Sequence, residues 1–132
     1  MNSLLGKIES LNVYQNLTLV SIRVGEVLMK SIVIETPDTC SYLVKGKEVK
    51  VLFKETEVII GKGNNIEISL QNRFECVIYK IERGVLLSKL TLATQGTEIF
   101  SIITTNAVNQ LKLELKQPVL AMIKTNEIML SE

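Results

Sequence analysis

The chain twice sets a lysine in the same short context, FKETEVII from Phe53 to Ile60 and IKTNEIML from Ile123 to Leu130. An ammonium at a strand end is ordinarily a solvated cation, so it is the recurrence that calls for an explanation. Two further candidates lie upstream of these segments. In TPDTCSYL, Thr36 suits a helix N-cap, Pro37 the first helical position and Asp38 the positive helix start. In NAVNQLKL, Asn106 takes the corresponding cap position. Such a turn presents backbone N–H donors, a seat for an anion, or else it plugs the end of a barrel. Catalytic groups are scarce. There is no histidine, which removes the commonest general base and the commonest transition-metal ligand. Cys40 and Cys76 make no C-x-x-C pair and no metal-spaced cluster. The Gly61–Gly63 stretch, GKG, lacks the third glycine and the following helix of a dinucleotide fingerprint. The chain reads as a binder and not as an enzyme, with no residue assigned as a direct cation ligand.

The elements that position these residues are strands. Of the 132 residues, 46% are hydrophobic and 5% aromatic, and the mean hydropathy is +0.26. Ile, Leu and Val interleave with polar residues at short spacing, which favours strands over helices. No apolar run approaches the length of a membrane span, and MNSLLGKIES has no charged segment leading into an apolar one. With isolated thiols, that implies a reducing, cytoplasmic setting. Fifteen basic residues against 14 acidic give a net charge of +1, with no block that would track nucleic acid or a membrane.

Residues 6–60 align without a gap on residues 76–130. Identities fall at Ile8/Ile78, Leu17/Leu87, Ser31/Ser101, Ile32/Ile102, Leu43/Leu113, Val49/Val119, Lys54/Lys124 and Glu57/Glu127. Their clustering and their apolar spacing indicate duplication. In each copy the pattern predicts five short strands, with one helical turn between the third and fourth, forming a small barrel. GKGNNIE, Gly61 to Glu67, is the linker, giving domains at 1–62 and 63–132.

With these residues in place the chain resembles a tandem molbindin, the small molybdate-binding domain also called Mop or TOBE. The family's closing motif is met by KETEVII and KTNEIML, its opening by SLQNRFEC from Ser69, and its central motif by ITTNAVNQLKL from Ile103. The resemblance implies an all-β fold of two five-stranded, OB-like Greek-key barrels in tandem. It implies self-association as a homotrimer and an oxyanion, molybdate or tungstate, held between neighbouring barrels without an organic cofactor. Carried over by position, the oxyanion-binding residues are Lys54, Thr56, Ser69, Asn72, Lys124, Thr125 and Asn126, with Thr36 and Asn106 as candidate helix-start contacts. The implied role is storage, homeostasis or delivery, with molybdenum transport or cofactor-synthesis proteins as partners.

Several positions depart from the family pattern. Gln71 stands where the family opening has arginine, and Arg73 is no obvious substitute. Pro37 and Ala107 replace the hydroxyl expected at the helical turn. The first copy reads as lacking the opening serine and asparagine. These losses favour a rival reading, a ligand-free or regulatory protein-interaction module of molybdate transport. An OB-type nucleic-acid binder would need exposed aromatics among basic residues, whereas Phe53, Phe74 and Phe100 lie in core-like strand patterns.

Overall fold

A computed structural model describes residues 1–132. The first copy begins with a long strand, β1 (Asn2–Tyr14), whose alternating residues from Asn2 to Ile8 are buried. It continues through β2 (Leu17–Val24), β3 (Val27–Val33), β4 (Glu48–Phe53) and β5 (Ile59–Gly61). The second copy repeats the series as β6 (Asn72–Arg83), β7 (Leu87–Thr94), β8 (Thr97–Thr104), β9 (Pro118–Ile123) and β10 (Met129–Ser131). Within each copy the antiparallel order is fourth-first-second-third, β4-β1-β2-β3 and β9-β6-β7-β8, which is the Greek-key order. A register shift at Glu9 and another at Tyr79 bend the long first strands, as bulges do where a sheet curls into a barrel. Both barrels are five-stranded and OB-like, as the sequence implies.

The fifth strands are exchanged. β10, at the end of the chain, pairs with β4 of the first copy through Met129↔Leu52, Leu130↔Val51 and Ser131↔Lys50. β5 pairs with β9 of the second copy through Ile59↔Met122, Ile60↔Ala121 and Gly61↔Leu120. Each sheet is therefore completed by the other repeat. One hydrophobic cluster of 24 buried residues, from Leu4 to Ile128, runs through both copies. The repeats thus share a core, which suits units that would be marginal alone at about 60 residues.

Local chemistry differs between the repeats. The β7–β8 hairpin turns at Gln95 (φ 48°) and Gly96 (φ 77°), where two left-handed residues match the strand twist. The β2–β3 hairpin turns at Gly25 (φ 59°). There the Gln95 Oε1 accepts the Glu26 N–H at 2.6 Å, and a Cβ on Gly25 would lie 2.3 Å from that oxygen. Between the third and fourth strands the second copy forms a short helix, α1 (Thr105–Gln110). The first copy forms only a turn, in which the Thr36 carbonyl accepts from the Thr39 and Cys40 N–H groups at 3.0 and 2.9 Å.

Candidate functional site

The two lysine segments adopt the same backbone. Lys54 (φ −73°, ψ 148°) and Lys124 (φ −70°, ψ 144°) each lead into a single 3-10 turn, Glu55–Glu57 and Thr125–Glu127. Each turn is closed by an N–H donated back to the lysine carbonyl, from Glu57 and from Glu127, both at 3.0 Å. Lys54, Lys124, Thr56 and Asn126 are exposed, and Thr125 is half-buried. Each turn is anchored on the other repeat. The buried Ser101 hydroxyl of β8 donates to the Val58 carbonyl at 2.9 Å, and the buried Ser31 hydroxyl of β3 donates to the Ile128 carbonyl at 3.0 Å. The serine pair that marked the repeat in sequence therefore ties each lysine turn to the opposite barrel.

The opening segments converge on the same places. Asn72 pairs in register with Ile123, next to Lys124, and Asn2 pairs with Phe53, next to Lys54. Asn72 is fully buried. Its Oδ1 accepts the Lys30 N–H at 2.7 Å and its Nδ2 donates to the Lys30 carbonyl at 2.9 Å. Asn2 does the same on β8, accepting from the Phe100 N–H at 2.8 Å and donating to its carbonyl at 2.9 Å. Since β3 and β8 are the outer strands of their sheets, each side-chain amide stands in for a missing strand at one residue of a free edge. The first copy thus retains the opening asparagine, as Asn2, contrary to the sequence reading. The alignment that begins at residue 6 stops short of it, although Asn2/Asn72 continues the same register.

The structure therefore assembles two related clusters. One holds Asn2, Lys54 and Thr56 against Phe100 and Ser101; the other holds Asn72, Lys124, Thr125 and Asn126 against Lys30 and Ser31. Ser69 lies exposed in the linker that leads to β6. Arg73 is committed to that linker: its guanidinium donates to the Leu70, Ile66 and Ile68 carbonyls at 2.8, 2.7 and 2.7 Å. Five N–H donors on a planar fork fit three convergent carbonyls well.

The helix-start residues stand apart from both clusters. The cap of α1 is Thr104, whose hydroxyl accepts the Ala107 N–H at 3.0 Å, and not Asn106, which lies inside the helix. A β-region residue directly before the first helical one takes the cap, and here that residue is two places earlier than the sequence suggests. Thr36 takes part in its turn through backbone groups, its N–H donating to the Thr39 hydroxyl at 2.9 Å. Along β8, α1 begins four residues past Ser101, roughly 13 Å at about 3.3 Å per residue.

The thiols are core residues. Cys40 and Cys76 are buried, and burial pushes the Cys76 thiol up to about 11, against weaker opposing hydrogen bonds from Thr94 and the Ala121 backbone. It stays a protonated thiol near neutral pH. What converges at the lysine turns is a set of donors: ammonium, hydroxyl and amide. Such a set can hold an acceptor-only group.

Two exchanged Greek-key barrels with paired lysine turns define a tandem TOBE-type protein, and residues 68–130 match the TOBE domain. In its fold throughout and in the sequence of its second repeat, the chain fits the molbindin type. Over 98% of its length and 94% of the other chain, it superposes with a TM-score of 0.90 and 28% identity on the cytoplasmic molybdate-binding protein ModG, crystallised with molybdate bound. It also matches a molybdate-binding protein from Sporomusa ovata at 30% identity, over 45% of this chain and 88% of that one, with a TM-score of 0.44. No curated protein sequence matches it.

Proposed function

We propose that this protein binds molybdate or tungstate in the cytoplasm for storage, homeostasis or delivery, at sites between barrels of a homotrimer. The observation that carries this reading is the likeness to molybdate-bound ModG over 98% of the chain, with the lysine turns preserved in both repeats. Molybdate is a tetrahedral dianion whose oxygens only accept hydrogen bonds. The donors of Lys54, Thr56, Ser69, Asn72, Lys124, Thr125 and Asn126 suit it without any redox group. Charge-assisted hydrogen bonds contribute about 1.5–3 kcal/mol each, so four to six imperfect ones are compatible with micromolar affinity, about −8 kcal/mol. Anchoring each turn on the opposite barrel keeps these donors in place before the ligand arrives, which lowers the ordering cost of binding.

One observation favours the rival reading of a ligand-free interaction module. The Arg73 guanidinium and most of the Asn72 amide are already engaged within the chain. Titration calorimetry with molybdate, tungstate and sulfate separates the two readings, with sedimentation to give the oligomeric state. Micromolar binding of molybdate and tungstate with sulfate excluded supports the oxyanion function. A folded protein that gives no heat with any of the three leaves the interaction module.

A further inference from the structure

The two lysine turns share a backbone but not a set of donors. Following Lys54 is Glu55, whereas Thr125 follows Lys124; next come Thr56 and Asn126, then Glu57 and Glu127. The first turn therefore sets two carboxylates beside one ammonium, and the second sets one. The residue whose backbone each asparagine clamps also differs, being Lys30 at the second turn and Phe100 at the first. Resting on the oxyanion reading above, we propose that the anion site is built on the second turn, with Lys124 and Lys30 as its cations, and that Glu55 keeps the anion off the first.

Three features support the assignment. The Glu55 side chain is only 26% exposed and is held by the amine of Met1 at 3.1 Å. Paired with that ammonium, it stands as an acceptor-only group at the turn position where the second repeat presents a hydroxyl donor. A carboxylate gives a dianion no hydrogen-bond donor, and its charge opposes the anion while its ammonium partner offsets only part of that charge. The strand facing the first turn has an aromatic ring at the matching position, Phe100, and the Lys89 ammonium lies 4.7 Å from its centroid, an attraction that draws that cation onto the ring. Lys30 has its backbone fixed by Asn72 at 2.7 and 2.9 Å, as Phe100 has by Asn2, but it brings a cation to that position. Its stem therefore starts from a rigid point beside the Lys124 turn.

Calorimetry with sodium molybdate on the full chain tests this, comparing the wild type with Lys124→Met, Lys30→Met, Lys54→Met and Glu55→Thr. Lys124→Met is expected to weaken binding by about tenfold or more, the loss of one charge-assisted contact. Lys30→Met is expected to cost about three- to tenfold on the same scale, and Lys54→Met less than either. Glu55→Thr is expected to raise the number of molybdates taken up per chain, a gain that a folding defect cannot imitate. Equal losses from Lys54→Met and Lys124→Met, or a larger one from Lys54→Met, would overturn the assignment while leaving oxyanion binding intact. So would an unchanged stoichiometry in Glu55→Thr. A wild type that takes neither molybdate nor tungstate overturns the proposed function itself, and the site with it.

Discussion

The two repeats present the same strands, the same exchanged edge and the same serine and asparagine ties, yet they differ in the residues that meet solvent around those ties. Where the first repeat has Lys30, Glu55 and Thr56, the second has Phe100, Thr125 and Asn126. Residues that hold the halves together are kept in pairs: Asn2 with Asn72, and Ser31 with Ser101. Apart from the lysines, the turn residues are not: Glu55 stands where Thr125 does and Thr56 where Asn126 does. Because each tie crosses from one repeat to the other, losing one would loosen both halves, whereas a surface charge can change in one half alone. Mutual dependence is thus what keeps the interior symmetric, and its absence at the surface lets the two turns diverge.

The largest effect should come from breaking the exchange. Residues 1–62 expressed alone lose β10, and residues 63–132 alone lose β5, so each fragment leaves its fourth strand and part of the 24-residue core uncovered. Neither fragment should show a cooperative thermal transition as a monomer, followed by circular dichroism; mixing the two should restore one. A fragment that melts cooperatively by itself would mean that the repeats are independent and that the exchange is incidental.

Next come the asparagine ties. Asn2→Ala and Asn72→Ala each remove two hydrogen bonds and leave a buried backbone N–H and carbonyl unpaired. Each should cost about 2–4 kcal/mol in urea unfolding. Similar costs would sharpen the comparison, showing one structural device used twice. A stable Asn72→Ala chain that fails to bind molybdate would instead make that asparagine a ligand first.

Much of this was legible in the sequence, and the part that was not has a common cause. Periodicity and turn chemistry are local, so the alternation of LTLVSIRV suffices to mark β2 and Gln95-Gly96 to mark the hairpin turn. Strand exchange is not local: the alternation in EVIIG and EIML specifies which face is buried and is silent on which sheet the strand joins. The same holds for the ties. Nothing near Asn72 announces that its amide will meet Lys30, 42 positions away. Arg73 is no obvious substitute for the family's arginine in sequence, and only the fold shows that the linker carbonyls of Ile66, Ile68 and Leu70 take it. At α1 the cap was misplaced for a simpler reason, since Thr104 and Asn106 are both good cap residues and only the backbone of Thr104 is extended.

A smaller effect follows from exchanging the surface residues that differ. Thr125→Glu writes the first turn's carboxylate into the second, while its carbonyl and the Glu127 N–H closure are untouched. Molybdate affinity should fall by about tenfold, near 1.4 kcal/mol, with thermal stability nearly unchanged because the site is half-exposed. If affinity holds, charge at this position does not distinguish the two turns.

The smallest expected effect concerns a tie found on one side only. The Tyr42 hydroxyl donates to the Leu130 carbonyl of the exchanged β10 at 3.1 Å, whereas the matching residue of the second repeat is Lys112. Partial burial, then the hydrogen bond and charge of Cys40, then the carboxylates of Glu35 and Glu132, push the Tyr42 hydroxyl from 10.0 up to about 12. A raised folded-state value means that the folded chain favours the protonated phenol. Its contribution is therefore complete below pH 10 and is lost as pH rises from 10 towards 12. Tyr42→Phe should cost about 1 kcal/mol at neutral pH, the worth of one hydrogen bond. The gap between wild type and variant should narrow between pH 10 and pH 12, as read from urea midpoints taken in parallel, so that lysine titration cancels. A gap that stays constant across that window would detach Tyr42 from β10 and leave the exchanged strand held by its ladder alone.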